Sequence, residues 1–183
     1  MGRPEAGLFV RAFQSLGRAL QRIPRGGAVL GALAWLAVIW FVSSRPPPSI
    51  GPGGPFTGVL ANLAHAPEYG ILVLWIALAL PRRGGWPVLD ARAIAAILAG
   101  VALWAVLDEV HQSFTPHRDA SAFDALTDFV GASATLSCIV AAGGPRASSR
   151  ELAIRFVVGF FACVLAASLA TFAPESFPGA SWL

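Results

Sequence analysis

The residues best suited to chemistry lie in one polar stretch, residues 107–131, which joins two long apolar runs. Its ionisable and amide side chains include Asp108, Glu109, His111, Gln112, Arg118, Asp124 and Asp128. A carboxylate beside a histidine can act as a general acid–base pair, and several carboxylates together can hold a divalent cation. Charged groups in such apolar surroundings are costly unless they face a bundle interior or water, so this stretch is the first candidate for a functional site.

Helical spacing sorts these side chains into faces. Asp108 shares one face with His111 and Gln112, whereas Glu109 is turned away from it by about 100°. Farther along the chain, Asp124 precedes Asp128 by one helical turn. Two consecutive helices therefore each present a polar patch.

A third polar patch lies upstream, at His65, Glu68 and Tyr69, again at the spacing of one helical turn. Pro67 lies inside this patch and removes one backbone donor, so we expect a kinked helix near His65. If the helices cross a membrane, the three patches lie at about the same depth and are predicted to converge.

The elements that position these side chains are predicted to be membrane helices. The 183-residue chain is 56% hydrophobic and 13% charged, whereas soluble domains carry about 25% charge. We predict an all-α, polytopic bundle of five spans, at residues 28–44, 56–80, 91–114, 121–142 and 152–172. The lipid bilayer is the expected partner, and nucleic acid is not, because no soluble domain offers a basic face.

The segment before the first span is basic and amphipathic. Residues 1–27 carry five arginines opposite an apolar face, which predicts a short interfacial helix on an anionic membrane surface. An uncleaved first span is favoured over a cleaved signal peptide, because the small-residue exit Ser43–Ser44 is a poor cleavage site. The chain thus divides into this segment, a four-helix core at residues 28–143, and residues 144–183 with a fifth helix and a short tail.

Arginines indicate the orientation. They concentrate before span one, after span two and after span four, whereas each alternate loop holds one, Arg45 or Arg118. The positive-inside rule then places the N-terminus in the cytoplasm, the C-terminus outside, and the polar stretch at the exoplasmic ends of spans three and four.

The loop at residues 115–120 is short enough to make spans three and four antiparallel neighbours, which brings Asp108 near Asp124. Ser121 is expected to cap span four, with Asp124 as its capping-box partner. Arg118 in this loop is the natural bidentate partner for either Asp108 or Asp124.

These patterns suggest roles for the polar residues. The candidate acid–base catalysts are His65, Asp108, Glu109 and Asp124. The candidate substrate-binding residues are Glu68, Tyr69, His111, Gln112, Arg118 and Asp128. The same acids can instead hold a divalent cation that binds phosphate. Two other interpretations stay open: a purely structural ion-pair network that joins the spans, and an ion or proton pathway, which would need polar residues deeper in the bundle.

The combined pattern resembles the VanZ-like family of small bacterial membrane proteins. The resemblance rests on D-E-x-H-Q at residues 108–112, P-x-R ending at Arg118, the aspartate Asp124, and upstream H-x-x-x-Y at His65 and Tyr69. It implies a bacterial cytoplasmic membrane protein linked to resistance to glycopeptides of the teicoplanin type, with a lipid-linked or cell-wall precursor as its ligand.

Three positions depart from the family's usual residues. Asn62 stands where a lysine is common, Asp128 where an asparagine is common, and His117 where a glycine is common. These changes make the predicted pocket more acidic. The fifth span also exceeds the family's usual four helices.

Overall fold

The computed structural model describes residues 8–20, 22–46, 54–116, 118, 120–144 and 147–173. Its elements in chain order are α1 (Leu8–Leu20), α2 (Arg25–Ser43), α3 (Pro55–Leu63), α4 (His65–Ala79), β1 (Arg82–Arg83), β2 (Trp86–Pro87), α5 (Ala91–Gln112), α6 (Ala122–Gly143) and α7 (Ser149–Phe172). The all-α prediction is confirmed. The turn predicted after the second span forms a small antiparallel hairpin whose two strands have two residues each. His117 and the tail beyond residue 173 lie outside the described residues.

Within the described residues, five helical segments are long and apolar enough to cross a membrane. They are Arg25–Ser43, Pro55–Ala79, Ala91–Gln112, Ala122–Gly143 and Ser149–Phe172. Each agrees with a predicted span to within a few residues, because uninterrupted apolar sequence of this length has few other stable arrangements. The protein is a multi-pass membrane protein.

The helix of the second span is interrupted near His65, where Pro67 led us to expect a kink. Pro67 has no N–H to donate to the carbonyl of Leu63, and the helix breaks at Ala64. The N–H of Ala64 still reaches the carbonyl of Leu60 at 3.2 Å, and a single residue separates α3 from α4. His65 is consequently the first residue of α4 and stands at the break inside the span.

Helix α6 lies at the centre of the bundle and packs against α4, α5 and α7. Its contact with α4 is unusually close at Gly131, where an added Cβ would overlap the backbone of Ala66. One turn on, a Cβ at Gly70 would lie 2.6 Å from Oγ1 of Thr135. Glycine on both helices therefore lets the two backbones meet, and this contact fixes the residues of α4 against those of α6.

Helix α1 is the amphipathic helix expected at the N-terminal end. Its inner face packs on the connection between α6 and α7, where Val10 is fully buried and Nε2 of Gln14 donates to the carbonyl of Ala142 at 2.8 Å. Arg11 and Arg18 lie on the exposed face. The predicted division into an apolar and a basic face is confirmed for the described part of this segment.

Candidate functional site

A histidine–carboxylate pair joins α4 to α6. Nδ1 of His65 lies 3.0 Å from Oδ1 of Asp128, in hydrogen-bond contact. The Asp128 side chain is fully buried, whereas that of His65 is 17% exposed. The close approach of Gly131 to Ala66, one turn along α6, brings the two groups together. Such a pair can take up or release a proton at the open side of the imidazole.

Glu109 of α5 completes the group. It is fully buried, and one of its carboxylate oxygens lies within 4.8 Å of ligand atoms on both His65 and Asp128. Its Oε2 accepts the backbone N–H of Ser121 at 2.8 Å. Ser121 caps α6 as expected, since its Oγ accepts the N–H of Phe123 at 3.2 Å. The predicted capping-box bond to Asp124 is wrong, because the Ser121 N–H is donated to Glu109 across the loop.

Asp108 is held by a second set of donors. Its Oδ2 accepts hydrogen bonds from Oγ of Ser43 at 2.8 Å and from Nε2 of Gln112 at 2.9 Å. The same Gln112 nitrogen also donates to Oε1 of Glu109 at 3.1 Å. The Gln112 amide thus lies between the two acidic side chains. Ser43 was not among the predicted site residues. In the sequence it stands out only as a hydroxyl-bearing residue in the last turn of an otherwise apolar span.

Arg118 does not form the predicted direct pair with Asp108. Its Nη1 donates to Oε1 of Gln112 at 3.0 Å, and its remaining nitrogens donate to the carbonyls of Arg45 at 2.7 Å and Val42 at 3.1 Å. Gln112 mediates between arginine and carboxylate because α2 ends beside the loop, and its free carbonyls attract the guanidinium. Arg118 therefore ties the end of α2 to α5.

His111 faces away from these groups. Its ring stacks on Trp40 with centroids 3.7 Å apart and planes 15° from parallel, and Nε2 lies 2.8 Å from Oγ of Ser44. It lines a separate groove that includes Trp104 and Phe114. The expectation that His111 would share the site with Asp108 is wrong. Glu109, two residues before His111 on α5, faces His65 instead.

The remaining predicted residues surround the group. Tyr69 is fully buried. Its hydroxyl, Oδ1 of Asp108 and Oδ2 of Asp128 are buried without a hydrogen-bond partner among the described residues. Asp124 and Glu68 are half-buried. The charge of Asp124 acts on His65 and Glu109, and the charges of His65, Asp108 and Arg118 act on Glu68. The predicted convergence of three helical patches is supported, and three of the acids, Asp108, Glu109 and Asp128, are buried inside the bundle.

An apolar groove runs beside the site. It has a volume of about 570 Å³ and lies between the α3–α4 segment and helices α6 and α7. Its wall includes Ala66, Pro67 and Gly131, which are neighbours of the His65–Asp128 pair, and farther out Phe156 and Phe160. The groove therefore passes alongside the His65–Asp128 pair.

The fold and the site together define a class: a multi-pass helical membrane protein whose bundle buries a histidine–carboxylate group. The chain matches no protein-family model, no curated protein and no solved structure. The likeness to the VanZ-like family therefore rests on the motif residues named above.

Proposed function

We propose that this protein is a VanZ-like protein of the bacterial cytoplasmic membrane that binds a lipid-linked cell-envelope precursor, and acts on it by proton transfer at His65 and Asp128. One observation carries the proposal: a buried histidine–carboxylate pair beside an apolar groove. The groove suits a hydrocarbon chain, and the pair suits the polar head of the same molecule. Resistance to teicoplanin-type glycopeptides is the proposed consequence.

The arrangement of charges supports an exoplasmic site. At the opposite end of the bundle, Nε of Arg25 donates to the carbonyl of Ala79 at 3.0 Å, and Nη2 of Arg82 donates to the carbonyl of Ile23 at 2.9 Å. The arginine-rich connections thus gather at one end and the acidic group at the other. By the positive-inside rule the arginine-rich end faces the cytoplasm, and the acidic group then lies toward the outer side of the membrane.

Unpaired polar atoms favour a ligand site over a network that only stabilises the fold. Native proteins pair nearly all their buried polar atoms, and exceptions often mark function. Here Oδ2 of Asp128 and the hydroxyl of Tyr69 are buried without a partner among the described residues. Oδ1 of Asp108 is also buried without a partner among the described residues, so the unpaired atoms mark the buried centre of the site.

A structural network is the second candidate, and it fits a different part of the site. Gln112 joins Asp108, Glu109 and Arg118, and Ser43 adds α2 to the same set of hydrogen bonds. We therefore assign the Asp108 side of the site to holding helices together, and the His65–Asp128 side to chemistry.

The test is glycopeptide susceptibility in cells that express His65→Gln or Asp128→Asn, together with quantification of lipid-linked wall precursors. Both variants are expected to lose the protein's effect on susceptibility, and to shift precursor levels toward those of cells without the protein. Glu151→Gln is the matched control, because Glu151 is an exposed carboxylate paired with Arg155 on α7.

Folded protein must be measured in parallel, by membrane abundance and by the elution profile in detergent. Variants that keep wild-type abundance but lose the effect support a chemical or binding role. Well-folded His65→Gln and Asp128→Asn proteins with unchanged susceptibility and unchanged precursors would contradict the proposal.

A further inference from the structure

We propose that His65, Glu109 and Asp128 bind one divalent transition-metal cation, Zn²⁺ or Mn²⁺, between helices α4, α5 and α6. The three residues each offer one ligand atom, and these atoms all lie within 4.8 Å of one another. They come from three different helices, so a cation here would hold the interior of the bundle together. The site shares His65 and Asp128 with the proposed function, and the cation would take the place of the hydrogen bond between them. Binding of the ion needs no substrate, so it is tested without the lipid-linked precursor.

The spacing agrees with metal coordination. Zinc bonds nitrogen and oxygen ligands at about 2.0–2.2 Å, so atoms that share the ion lie about 3–4.3 Å apart. The 3.0 Å separation of His65 Nδ1 and Asp128 Oδ1 matches neighbouring ligands on one ion. Glu109 needs only a small side-chain movement to meet the same range.

Charge is the second line of support. Glu109 and Asp128 are both fully buried, and Asp108 and Asp124 add their charges nearby. Arg118 donates to Gln112 and to backbone carbonyls. Among the described residues, the imidazole of His65 is the basic group in direct contact with Asp128. A divalent cation would supply the missing positive charge at a place where burial makes uncompensated charge costly.

Buried oxygen atoms without hydrogen-bond partners in the described structure also support a cation between α4, α5 and α6. Oδ2 of Asp128 is buried without a hydrogen-bond partner among the described residues, and this side chain is fully buried. An ion held by the Asp128 carboxylate would account for that oxygen. The Tyr69 hydroxyl, also buried and unpartnered within the described part of the chain, can accept or donate a hydrogen bond at the edge of such a site.

The ligand set favours a transition metal over Ca²⁺ or Mg²⁺. Imidazole nitrogen suits Zn²⁺ and its neighbours, whereas Ca²⁺ and Mg²⁺ prefer oxygen alone. The Glu109 carboxylate is already oriented by the Ser121 N–H and by the Gln112 amide, as metal-ligating carboxylates usually are. Both oxygens keep a lone pair for the ion.

The experiment uses the full chain, purified in detergent, stripped with EDTA and then exposed to Zn²⁺ or Mn²⁺ before removal of free ion. We expect about one ion per chain by mass spectrometry of the metal, and a melting temperature several degrees higher than that of the stripped protein, since an ion that binds only the folded state stabilises it. Glu109→Gln and Asp128→Asn are each expected to lower occupancy at least tenfold, whereas Glu151→Gln keeps it.

Equal occupancy in wild type, Glu109→Gln and Asp128→Asn would overturn the proposal, and so would saturation by Ca²⁺ or Mg²⁺ without a response to Zn²⁺ or Mn²⁺. If a variant fails to fold, the visible absorption spectrum of Co²⁺ bound to the wild-type chain identifies the ligands instead. Visible d–d absorption without thiolate charge transfer supports the His–carboxylate site. A thiolate band would place the ion on one of the two buried free cysteines, Cys138 or Cys163, instead. Because no precursor enters these measurements, they can succeed even if the proposed function fails.

Discussion

At the scale of single residues, burial decides which polar groups act together. Asp108 and Glu109 are adjacent in sequence and lie about 100° apart around the helix, yet both are almost fully buried. This is possible because α2 covers one side of α5 and α6 covers the other. Each acid consequently has its own donors, Ser43 from α2 for Asp108 and Ser121 from the α6 end for Glu109.

The hydroxyl of Ser43 gives the first prediction. Ser43→Ala removes one donor from the buried carboxylate of Asp108 and is expected to destabilise the protein by about 1–3 kcal/mol. The measurement is the unfolding free energy in mixed detergent micelles. Ser44→Ala is the matched control, because Ser44 is exposed, and it should change the value by less than about 0.5 kcal/mol. Equal effects of the two changes would show that the Ser43–Asp108 bond contributes little.

The second prediction concerns the guanidinium group of Arg118. Arg118→Lys keeps the charge but cannot reach Gln112, Arg45 and Val42 together with the same planar geometry. We expect a loss of roughly 1–3 kcal/mol, seen as a lower melting temperature in detergent. Arg155→Lys serves as control, since the exposed pair between Arg155 and Glu151 is worth at most a few tenths of a kcal/mol. An Arg118→Lys protein as stable as wild type would remove Arg118 from the structural network.

At the scale of elements, the contact between α4 and α6 creates the site. Two glycines, Gly70 and Gly131, let the helix backbones approach closely. The break at Ala64 then starts α4 at His65, opposite the second turn of α6. The histidine owes its position to these two features together, since a straight helix or a wider spacing would move it away from Asp128.

Gly131→Ala tests this contact. The added methyl group would meet the backbone of Ala66, which cannot move aside as a side chain can, so we expect a loss of about 1–3 kcal/mol. The variant should also lose metal occupancy, because α4 and α6 must separate. Gly100→Ala is the matched control: it lies on the exposed side of α5, and nothing lies within 4 Å of an added Cβ. A Gly131→Ala protein with wild-type stability and metal occupancy would contradict this account.

At the scale of the whole molecule, the charged groups divide between the two ends. The core between them is apolar, built from residues such as Leu72, Val73, Val101 and Leu136. Polar side chains would have to continue through this layer for ions or protons to cross, so the described bundle gives no support to an ion pathway. A site reached from one side of the membrane agrees better with this distribution.

Fusion reporters test the orientation. Alkaline phosphatase at Leu183 should be active and green fluorescent protein at Gly85 should fluoresce, because the positive-inside rule places the C-terminus outside and the α4–α5 turn in the cytoplasm. The reciprocal fusions are expected to be inactive and dark. A fluorescent Leu183 fusion with an inactive phosphatase would reverse the topology and place the acidic group at the cytoplasmic side.

The sequence by itself determined the five spans, the amphipathic N-terminal helix, the break near Pro67 and the set of polar residues in which the site is found. Apolar length, helical periodicity and the missing proline donor act locally, so they can be read from neighbouring residues. Only the tertiary structure decided which members of that set meet. Glu109 lies beside His65 and Asp128, whereas His111 turns away and stacks on Trp40. Ser121 donates to Glu109 instead of Asp124, and Gln112 lies between Arg118 and Asp108. These choices depend on how close α2, α4 and α6 approach α5 and on which backbone groups their ends leave free, and those distances arise only when the helices pack.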